Sequence, residues 1–248
     1  MLSAELIQSP LLLILLLVVA FLYASVGHGG ASGYLALMSL FAFPVTFMKP
    51  TALVLNILVS GISFFFYFRE KKFEWKLFYP FAMTSIPFSF LGGIITIETH
   101  IYKIILGTVL LFAIARLLGL LGKQKGDLKP INLPLALFIG AMIGFLSGLI
   151  GIGGGIILSP VILLLNWGDM KKTAAVSALF ILVNSISGLF GFISKGGTLP
   201  ASSLSLIAFA LIGGILGGYF GSKKMNIPML RNVLALVLLI AVFKLYTT

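Results

Sequence analysis

The feature that most constrains this chain is its series of long apolar segments, several of which run about 18 residues without a charge. A helix of that length crosses the hydrocarbon core of a bilayer. The composition agrees, because 60% of the residues are hydrophobic, only 9% are charged and the mean hydropathy is +1.18. The predicted segments are 10–43, 50–68, 77–97, 101–121, 132–165, 173–193, 201–221 and 229–246. We therefore predict an all-α, polytopic membrane protein.

Two of these segments are interrupted by glycine-rich motifs that belong to an internal repeat. The motif "SVGHGGASG" at 25–33 matches "LIGIGGGII" at 149–157, with three glycines paired at an offset of 124 residues. Two later matches follow in the same order: "NILVSG" (56–61) with "NSISG" (184–188), and "FLGG" (90–93) with "ILGG" (215–218). Three ordered matches indicate a duplicated unit. The predicted units are an N-terminal repeat, 1–121, and a C-terminal repeat, 132–248, joined by a cytoplasmic loop, 122–131.

The distribution of lysine and arginine predicts how the two repeats cross the membrane. If each interrupted segment crosses once, the 17 basic residues divide 7 to 10 between the two sides. If each turns back as a hairpin of two half-helices, they divide 13 to 4, which satisfies the positive-inside rule. The minority side then holds Lys49, Lys103, Lys195 and Lys244. The hairpin arrangement makes the repeats inverted, each with a broken-helix hairpin plus about four transmembrane helices.

The same arrangement predicts the location of the protein and of its ends. The N-terminal region contains Glu5 and no basic residue before Lys49, so it lacks the positive region of a signal peptide. We expect a multi-pass protein of the cell (inner) membrane with both termini on the non-cytoplasmic side. The net charge of +11 is assigned to membrane topology and not to nucleic-acid binding, because the basic residues flank the apolar segments.

The chain has few groups that could perform catalysis or bind a cation. All six acidic residues lie in predicted loops or at segment ends, whereas a cation site or carboxylate proton relay needs one at membrane depth. Cysteine is absent, and no zinc-protease, serine-triad or Walker motif is present. We therefore expect no enzymatic activity, no cofactor and no metal site.

The glycine motifs favour binding of a small anion. A broken helix leaves free N–H groups at the start of its second half, where the helix dipole is positive. Such a site needs no charged side chain, and broken helices that meet near the midplane recur in transporters. The alternative is helix packing through small residues, which we prefer for the glycines of 217–221. For the two breaks we favour binding, because each coincides with a reversal of the chain.

Polar side chains near the motifs complete the predicted binding site. His28 could hydrogen-bond to an anion or locally, or carry a coupling proton, since histidine titrates near neutral pH. Asn56 and Asn184 form a pair through the repeat, while Arg116, near a helix end, is expected to snorkel to the interface. The predicted substrate-binding residues are Ser25, Gly27, His28, Gly29, Gly30, Ser32, Asn56, Ser60, Ser147, Gly151, Gly153, Gly154, Gly155, Asn184 and Ser187.

Two stretches of the second half resemble a known family. The sequences "GFLSGLIGIGGGIILSPVILLL" (144–165) and "AAVSALFILVNSISGLFG" (174–191) are similar to the signature of the sulfite exporter TauE/SafE family, and "YASVGHGGASGYLAL" (23–37) resembles its first-half copy. The resemblance implies transport of small sulfur-containing anions, such as sulfite, thiosulfate or organosulfonates, across the bacterial inner membrane. It also implies that Gly151, Gly153, Gly154 and Gly155 form the family's glycine run, with Asn184 and Ser187 in the downstream motif.

These observations together predict a secondary transporter that moves a small sulfur-containing anion by alternating access. The alternatives are a passive anion channel, a transporter of another small organic anion such as a carboxylate, and a membrane module that does not transport. The expected partners are the anionic substrate, the lipid bilayer and a coupling proton, for which His28 is one candidate. The direction of transport and the oligomeric state stay open at this point.

Overall fold

A computed structural model describes residues 9–121, 127–200, 204–223 and 228–247. Within these residues every regular element is an α-helix, and the loop residues 122–126 of the predicted inter-repeat loop lie outside them. The helices are α1 (Pro10–Ser25), α2 (Ala31–Leu40), α3 (Val45–Arg69), α4 (Trp75–Ile94), α5 (Thr99–Leu117), α6 (Leu133–Ile150), α7 (Gly155–Leu164), α8 (Met170–Ser194), α9 (Leu204–Lys223) and α10 (Pro228–Thr247).

Six helices in the described parts of the chain are long and apolar enough to span a membrane. They lie within α3, α4, α5, α6, α8 and α9, and their side chains are buried over about half of each span or less, so the remaining apolar surface faces outward. Among the described residues, three longer helices follow the broken pair in each half, against about four in the prediction. The protein is therefore an all-helical, multi-pass membrane protein.

The two halves are interlocked. The most extensive helix contacts join α4 to α6 and α1 to α9, so each half packs its fourth helix on the first helix of the other half. In addition, α3 packs on α8, and α5 packs against α10. Exchanging the two halves reproduces these pairs, which is the pattern expected of a duplicated unit. The inverted orientation of the halves relative to the membrane stays a prediction.

Small residues allow the interlocked helices to approach closely. On α6, a Cβ added to Gly144 would lie 2.5 Å from the Ser85 Cα of α4. On α9, a Cβ added to Gly217 would lie 2.9 Å from the Phe21 Cα of α1. The packing role predicted for the glycines of 217–221 is confirmed, because only a residue without a side chain fits there.

Candidate functional site

The first helix break, residues 26–30, reverses the chain between α1 and α2. Gly27 and Gly30 have φ of 75° and 96°, the left-handed region that other residues rarely adopt. After the turn, a Cβ added to Gly33 would lie 2.9 Å from the Tyr23 ring of α1. Because residues 23 and 33 are in contact, α2 folds back along α1, as the hairpin interpretation expects.

The second break, residues 151–154, has the same character. Gly151, Gly153 and Gly154 have φ of 83°, 72° and 78°. A Cβ added to Gly154 would lie 2.6 Å from the Ile143 Cγ2 of α6, so the end of the break packs against the helix that precedes it. Both predicted glycine motifs therefore end one helix and begin another, with left-handed backbone at the break.

The two breaks meet at one pair of side chains. A Cβ added to Gly29 would lie 2.5 Å from the Asn56 Oδ1 and 2.9 Å from the Ile181 Cγ2. A Cβ added to Gly153 would lie 2.6 Å from the Asn56 Nδ2 and 2.7 Å from the Ile181 Cγ2. Asn56 on α3 and Ile181 on α8 therefore lie between a glycine of one break and a glycine of the other. This convergence, which we call the glycine junction, consists of Gly29, Gly153, Asn56 and Ile181.

The Asn56 side chain makes one hydrogen bond beside the junction and leaves its amide nitrogen unused. Its Oδ1 accepts a hydrogen bond of 3.0 Å from the Ala31 N–H at the start of α2. Its side chain is fully buried, and its Nδ2 has no hydrogen-bond partner among the described residues. Ser185 on α8 is also fully buried with an unpartnered Oγ, which would lie 3.0 Å from a Cβ added to Gly153. Buried donors of this kind are costly unless a ligand or water completes them.

Backbone N–H groups add to these donors. At the start of α7, the Ile157 N–H donates to the Gly154 carbonyl. At the start of α2, the Tyr34 N–H donates to the Gly30 carbonyl. The amides that precede them belong to the first turn, which has no acceptors inside its own helix. The glycines of both breaks are buried, so these amides and the positive helix ends lie in a region of low dielectric.

His28 at the first break is held by groups from two other helices, one of which is bonded in turn to a third. Its Nε2 lies 2.7 Å from the Arg116 Nη1 of α5 and 3.1 Å from the Ser159 Oγ of α7, which lies 2.7 Å from the Ser177 Oγ of α8. Arginine only donates, so Nε2 accepts and the ring proton resides on Nδ1, which is 2.9 Å from the Val26 carbonyl oxygen. The geometry is that of a neutral, hydrogen-bonded histidine.

Two basic residues are placed differently from the sequence expectation. Arg116, expected to snorkel outward, reaches the buried His28 instead, because the break supplies a hydrogen-bond acceptor at that depth. Lys49, expected in a polar turn before a segment starting at 50, lies inside α3 and is only 7% exposed. The helix begins earlier than predicted, at Val45 after Pro44, so that its first turns are buried among neighbouring helices. Sequence patterns could not reveal either contact, since both depend on distant helices.

Four predicted serines near the breaks differ in their hydrogen bonds. Ser60 donates to the Asn56 carbonyl one turn away, and Ser32 shares a hydrogen bond of 2.6 Å with Tyr23. Ser25 donates to the Leu22 carbonyl within α1, and the Ser147 carbonyl accepts from the Gly151 amide while its Oγ has no partner in the described chain.

The predicted pairing of Asn56 with Asn184 differs from the register of the helices. Counted from the first residues of α3 and α8, the counterpart of Asn56 is Ile181, which shares both glycine contacts with it. Asn184 donates to the Phe180 carbonyl, and Ser187 donates to the Ile86 carbonyl of α4. Ser185, which was not predicted, is the counterpart of Ser60 in this register. Aligning the helices by their starts would have found it.

The fold and the junction define a class: a multi-pass helical membrane protein in which two broken helices meet at buried polar groups. Comparison with known proteins identifies the group within that class. The chain belongs to the sulfite exporter TauE/SafE family, whose sequence profile matches residues 12–245. The resemblance stated from the motifs is therefore confirmed.

Its relatives are described as transporters. The chain is 38% identical to the "probable membrane transporter protein y4hK" of Sinorhizobium fredii over 232 residues, 92% of this chain and 94% of that protein. It is 29% identical to a "probable membrane transporter protein" of Methanocaldococcus jannaschii over 201 residues, 75% of this chain and 72% of that protein. No solved structure matches the chain. The protein is therefore a membrane transporter of the TauE/SafE type.

Proposed function

We propose that the protein is a secondary transporter that moves a small sulfur-containing anion by alternating access. The substrate class comprises sulfite, thiosulfate and organosulfonates, in line with the name of the family. The observation that carries the proposal is the contact of Gly29 and Gly153, one from each break, with the same buried Asn56 side chain. An anion at this point receives hydrogen bonds from both halves of the chain.

The chemistry of the junction favours an oxyanion. The groups that it offers are donors: the Asn56 Nδ2, the Ser185 hydroxyl, the backbone amides at the start of α7 and those of the first turn of α2 that follow Ala31, whose own N–H donates to Asn56. The described acidic residues, by contrast, lie in connections or at the ends of helices; they are Glu70, Glu74, Glu98, Asp127 and Asp169. A donor-rich site without carboxylates binds an oxyanion and excludes cations. We assign no enzymatic activity to it.

Alternating access gives the breaks a mechanical role. In this proposal the structure represents a closed state of the junction, because the glycines of both breaks are buried. Each broken helix is packed against a helix of the other half, α1 on α9 and α6 on α4. A movement of one half against the other would open the junction to one side at a time while the anion stays bound.

His28 is the remaining candidate for coupling. Its hydrogen bonds with Arg116 and Ser159 support a role in holding the first break in place. The alternative is that it carries a coupling proton. If so, His28→Ala abolishes the dependence of transport on a proton gradient, whereas a positioning role lowers transport and leaves that dependence intact.

We further propose the membrane arrangement that the charge distribution predicts. The protein lies in the cell inner membrane with both termini on the non-cytoplasmic side, an N-terminal repeat of 1–121 and an inverted repeat of 132–248. The exposed Lys172 and Glu74 form an ion pair of 2.7 Å at the end assigned to the cytoplasm, as expected for residues outside the bilayer.

Counterflow in proteoliposomes tests the function. Vesicles containing the purified protein and unlabelled thiosulfate are diluted into a trace of labelled thiosulfate, and formate-loaded vesicles diluted into a trace of labelled formate are the comparison. A transporter accumulates label transiently against its gradient. A channel gives no accumulation, and accumulation only with formate would assign the protein to carboxylates; either result contradicts the proposal.

A further inference from the structure

Lys49 is a buried cation directly beside the second glycine break. Only 7% of its surface is exposed. A Cβ added to Gly151, the first residue of that break, would lie 3.1 Å from the Lys49 carbonyl oxygen and 3.4 Å from its Cγ. The backbone and the stem of Lys49 therefore pack on the break.

The ammonium group is only loosely paired. Its Nζ lies 3.3 Å from the Gly93 carbonyl oxygen and 3.5 Å from those of Gly92 and Ile95, at the C-terminal end of α4. Charge-assisted hydrogen bonds are usually about 2.7–2.9 Å long. A ring of α8, that of Phe192, is 5.8 Å away. Within the described chain, the only ion pair between side chains is the distant Lys172–Glu74.

The repeat shows that packing does not require this charge. The counterpart of Lys49 in α8 is Ala174, since both are the fifth residue of their helix. A Cβ added to Gly27, in the first break, would lie 2.8 Å from the Ala174 Cβ. A methyl group therefore makes at one break the contact that the Lys49 stem makes at the other. Burying an ammonium ion costs free energy, so its charge calls for a separate explanation.

We propose that Lys49 binds the transported anion and selects for a divalent oxyanion. In the closed structure its ammonium group rests on the partial negative charge at the end of α4. When an anion occupies the second break, rotation of the flexible side chain brings the full positive charge to it. The backbone amides and Asn56 recognise any oxyanion, and Lys49 adds an electrostatic attraction that increases with the anion's charge. This inference rests on the proposed function.

Calorimetric titration of the purified full-length protein at pH 6.5 with thiosulfate, a divalent anion, and methanesulfonate, a monovalent one, tests the assignment. We expect Lys49→Met to weaken thiosulfate binding by about tenfold or more and methanesulfonate binding by several-fold less, since Coulomb attraction scales with the anion's charge. Lys49→Arg keeps the charge and should retain most of the preference. The control is Lys195→Met, which removes an exposed lysine at the same end of the bundle, hydrogen-bonded to Thr96.

A melting curve in detergent separates binding from a structural role. If Lys49 serves the anion, Lys49→Met removes a poorly paired buried charge, and the melting temperature without ligand stays equal or rises. Equal losses for both anions, or a lowered melting temperature with unchanged affinities, would assign Lys49 to capping of α4 and overturn the inference. If Lys195→Met weakens binding equally, the anions respond to the overall charge of this surface and not to Lys49 itself, and the inference is likewise overturned. Failure of the wild-type protein to bind either anion would instead refute the proposed function, and the inference with it.

Discussion

Asn56 is the residue on which the two halves depend most directly. Its oxygen caps the start of α2 in the first half, while its amide nitrogen faces Gly153 in the second half. Ile181 occupies the equivalent place on α8, so of these two side chains, which both contact Gly29 and Gly153, only Asn56 is polar. The chemistry of the junction is therefore asymmetric although the backbone is repeated.

Replacing Asn56 by aspartate separates the cap from the binding site. Asn56→Asp keeps an oxygen that can accept from the Ala31 N–H, and a carboxylate is favourable at a helix N-terminus. The unpartnered donor becomes an acceptor with a negative charge, so we expect thiosulfate uptake to fall by about tenfold or more, since each lost hydrogen bond to an ion costs about 1.5–3 kcal/mol. Uptake is measured in proteoliposomes, with size-exclusion chromatography to verify folding.

Asn132→Asp is the matched control for that substitution. Asn132 is exposed and caps α6, its Oδ1 accepting a hydrogen bond of 3.1 Å from the Leu135 N–H. The same chemical change at a helix start remote from the junction should leave uptake within about twofold, because exposed charges are screened by salt. Equal losses in the two variants would contradict the role given to Asn56.

The sequence predicts where the glycines and Asn56 lie in the fold, but it does not predict where Lys49 and Arg116 lie. Glycine clusters inside apolar segments have a direct physical meaning, since they permit positive φ and close approach wherever the helix must break. The destinations of Lys49 and Arg116 depend instead on helices more than 40 residues away in the chain. No local pattern distinguishes a cation that reaches a buried acceptor from one that reaches the interface.

At the scale of the elements, close packing of α6 on α4 and of α9 on α1 joins the halves. Within the described chain, Gly148 and Gly144 meet the backbone of α4, and Gly221 and Gly217 meet that of α1. Without a hydrophobic driving force inside the bilayer, such contacts and the dispersion forces that they allow supply the association. The same glycines would let the helices slide during a conformational change.

Gly144→Leu should disrupt this packing. A side chain at Gly144 would meet the Ser85 backbone, which can yield only if the two helices separate. Overpacking of this kind costs about 1–3 kcal/mol or more, and here backbone is opposed to backbone. We expect a lower melting temperature in detergent and a smaller yield of monodisperse protein.

Met142→Leu provides the comparison on the same helix. Met142 is 51% exposed on the outward face of α6, so a volume-conserving change there should leave the melting temperature unchanged. If Gly144→Leu melts at the same temperature as Met142→Leu, the close approach of α4 and α6 is not what joins the halves.

The helix breaks could be predicted, whereas the exact register between the repeats could not. Motif matching joined Asn56 to Asn184, but the helix starts at Val45 and Met170 pair Asn56 with Ile181. The helix starts depend on caps and turns such as Pro44 and Asp169, which differ between the halves. Sequence similarity within apolar segments is too degenerate to detect such a shift of a few residues.

At the scale of the whole molecule, the inverted arrangement predicts opposite exposure of two surface lysines. The natural chain has no cysteine, so single substitutions need no background removal. Lys72 lies just after the end of α3, and Lys195 lies just after the end of α8, the equivalent helix of the other half. Each is replaced singly by cysteine. We expect an impermeant maleimide to label Lys195→Cys in intact cells and Lys72→Cys only after permeabilisation. Labelling of both from the same side would refute the inverted hairpins.

The interlocked halves also imply a single shared binding site. Gly29 and Gly153 belong to different repeats but contact the same two side chains, so an added methyl group at either would clash with Asn56 and Ile181. Gly61, on α3, has only ordinary contact available, with the nearest atom 3.8 Å from an added Cβ. Gly61→Ala should therefore behave as the wild type.

The measurement that tests the single shared binding site most directly is the stoichiometry of thiosulfate binding to the purified protein by calorimetry. We expect one anion per chain, and loss of that binding in Gly29→Ala and in Gly153→Ala alike, with Gly61→Ala unaffected. Two anions per chain, with each tip variant removing only one, would mean that the two breaks act as independent sites, and unchanged binding in both variants would mean that the anion does not bind at the glycine junction.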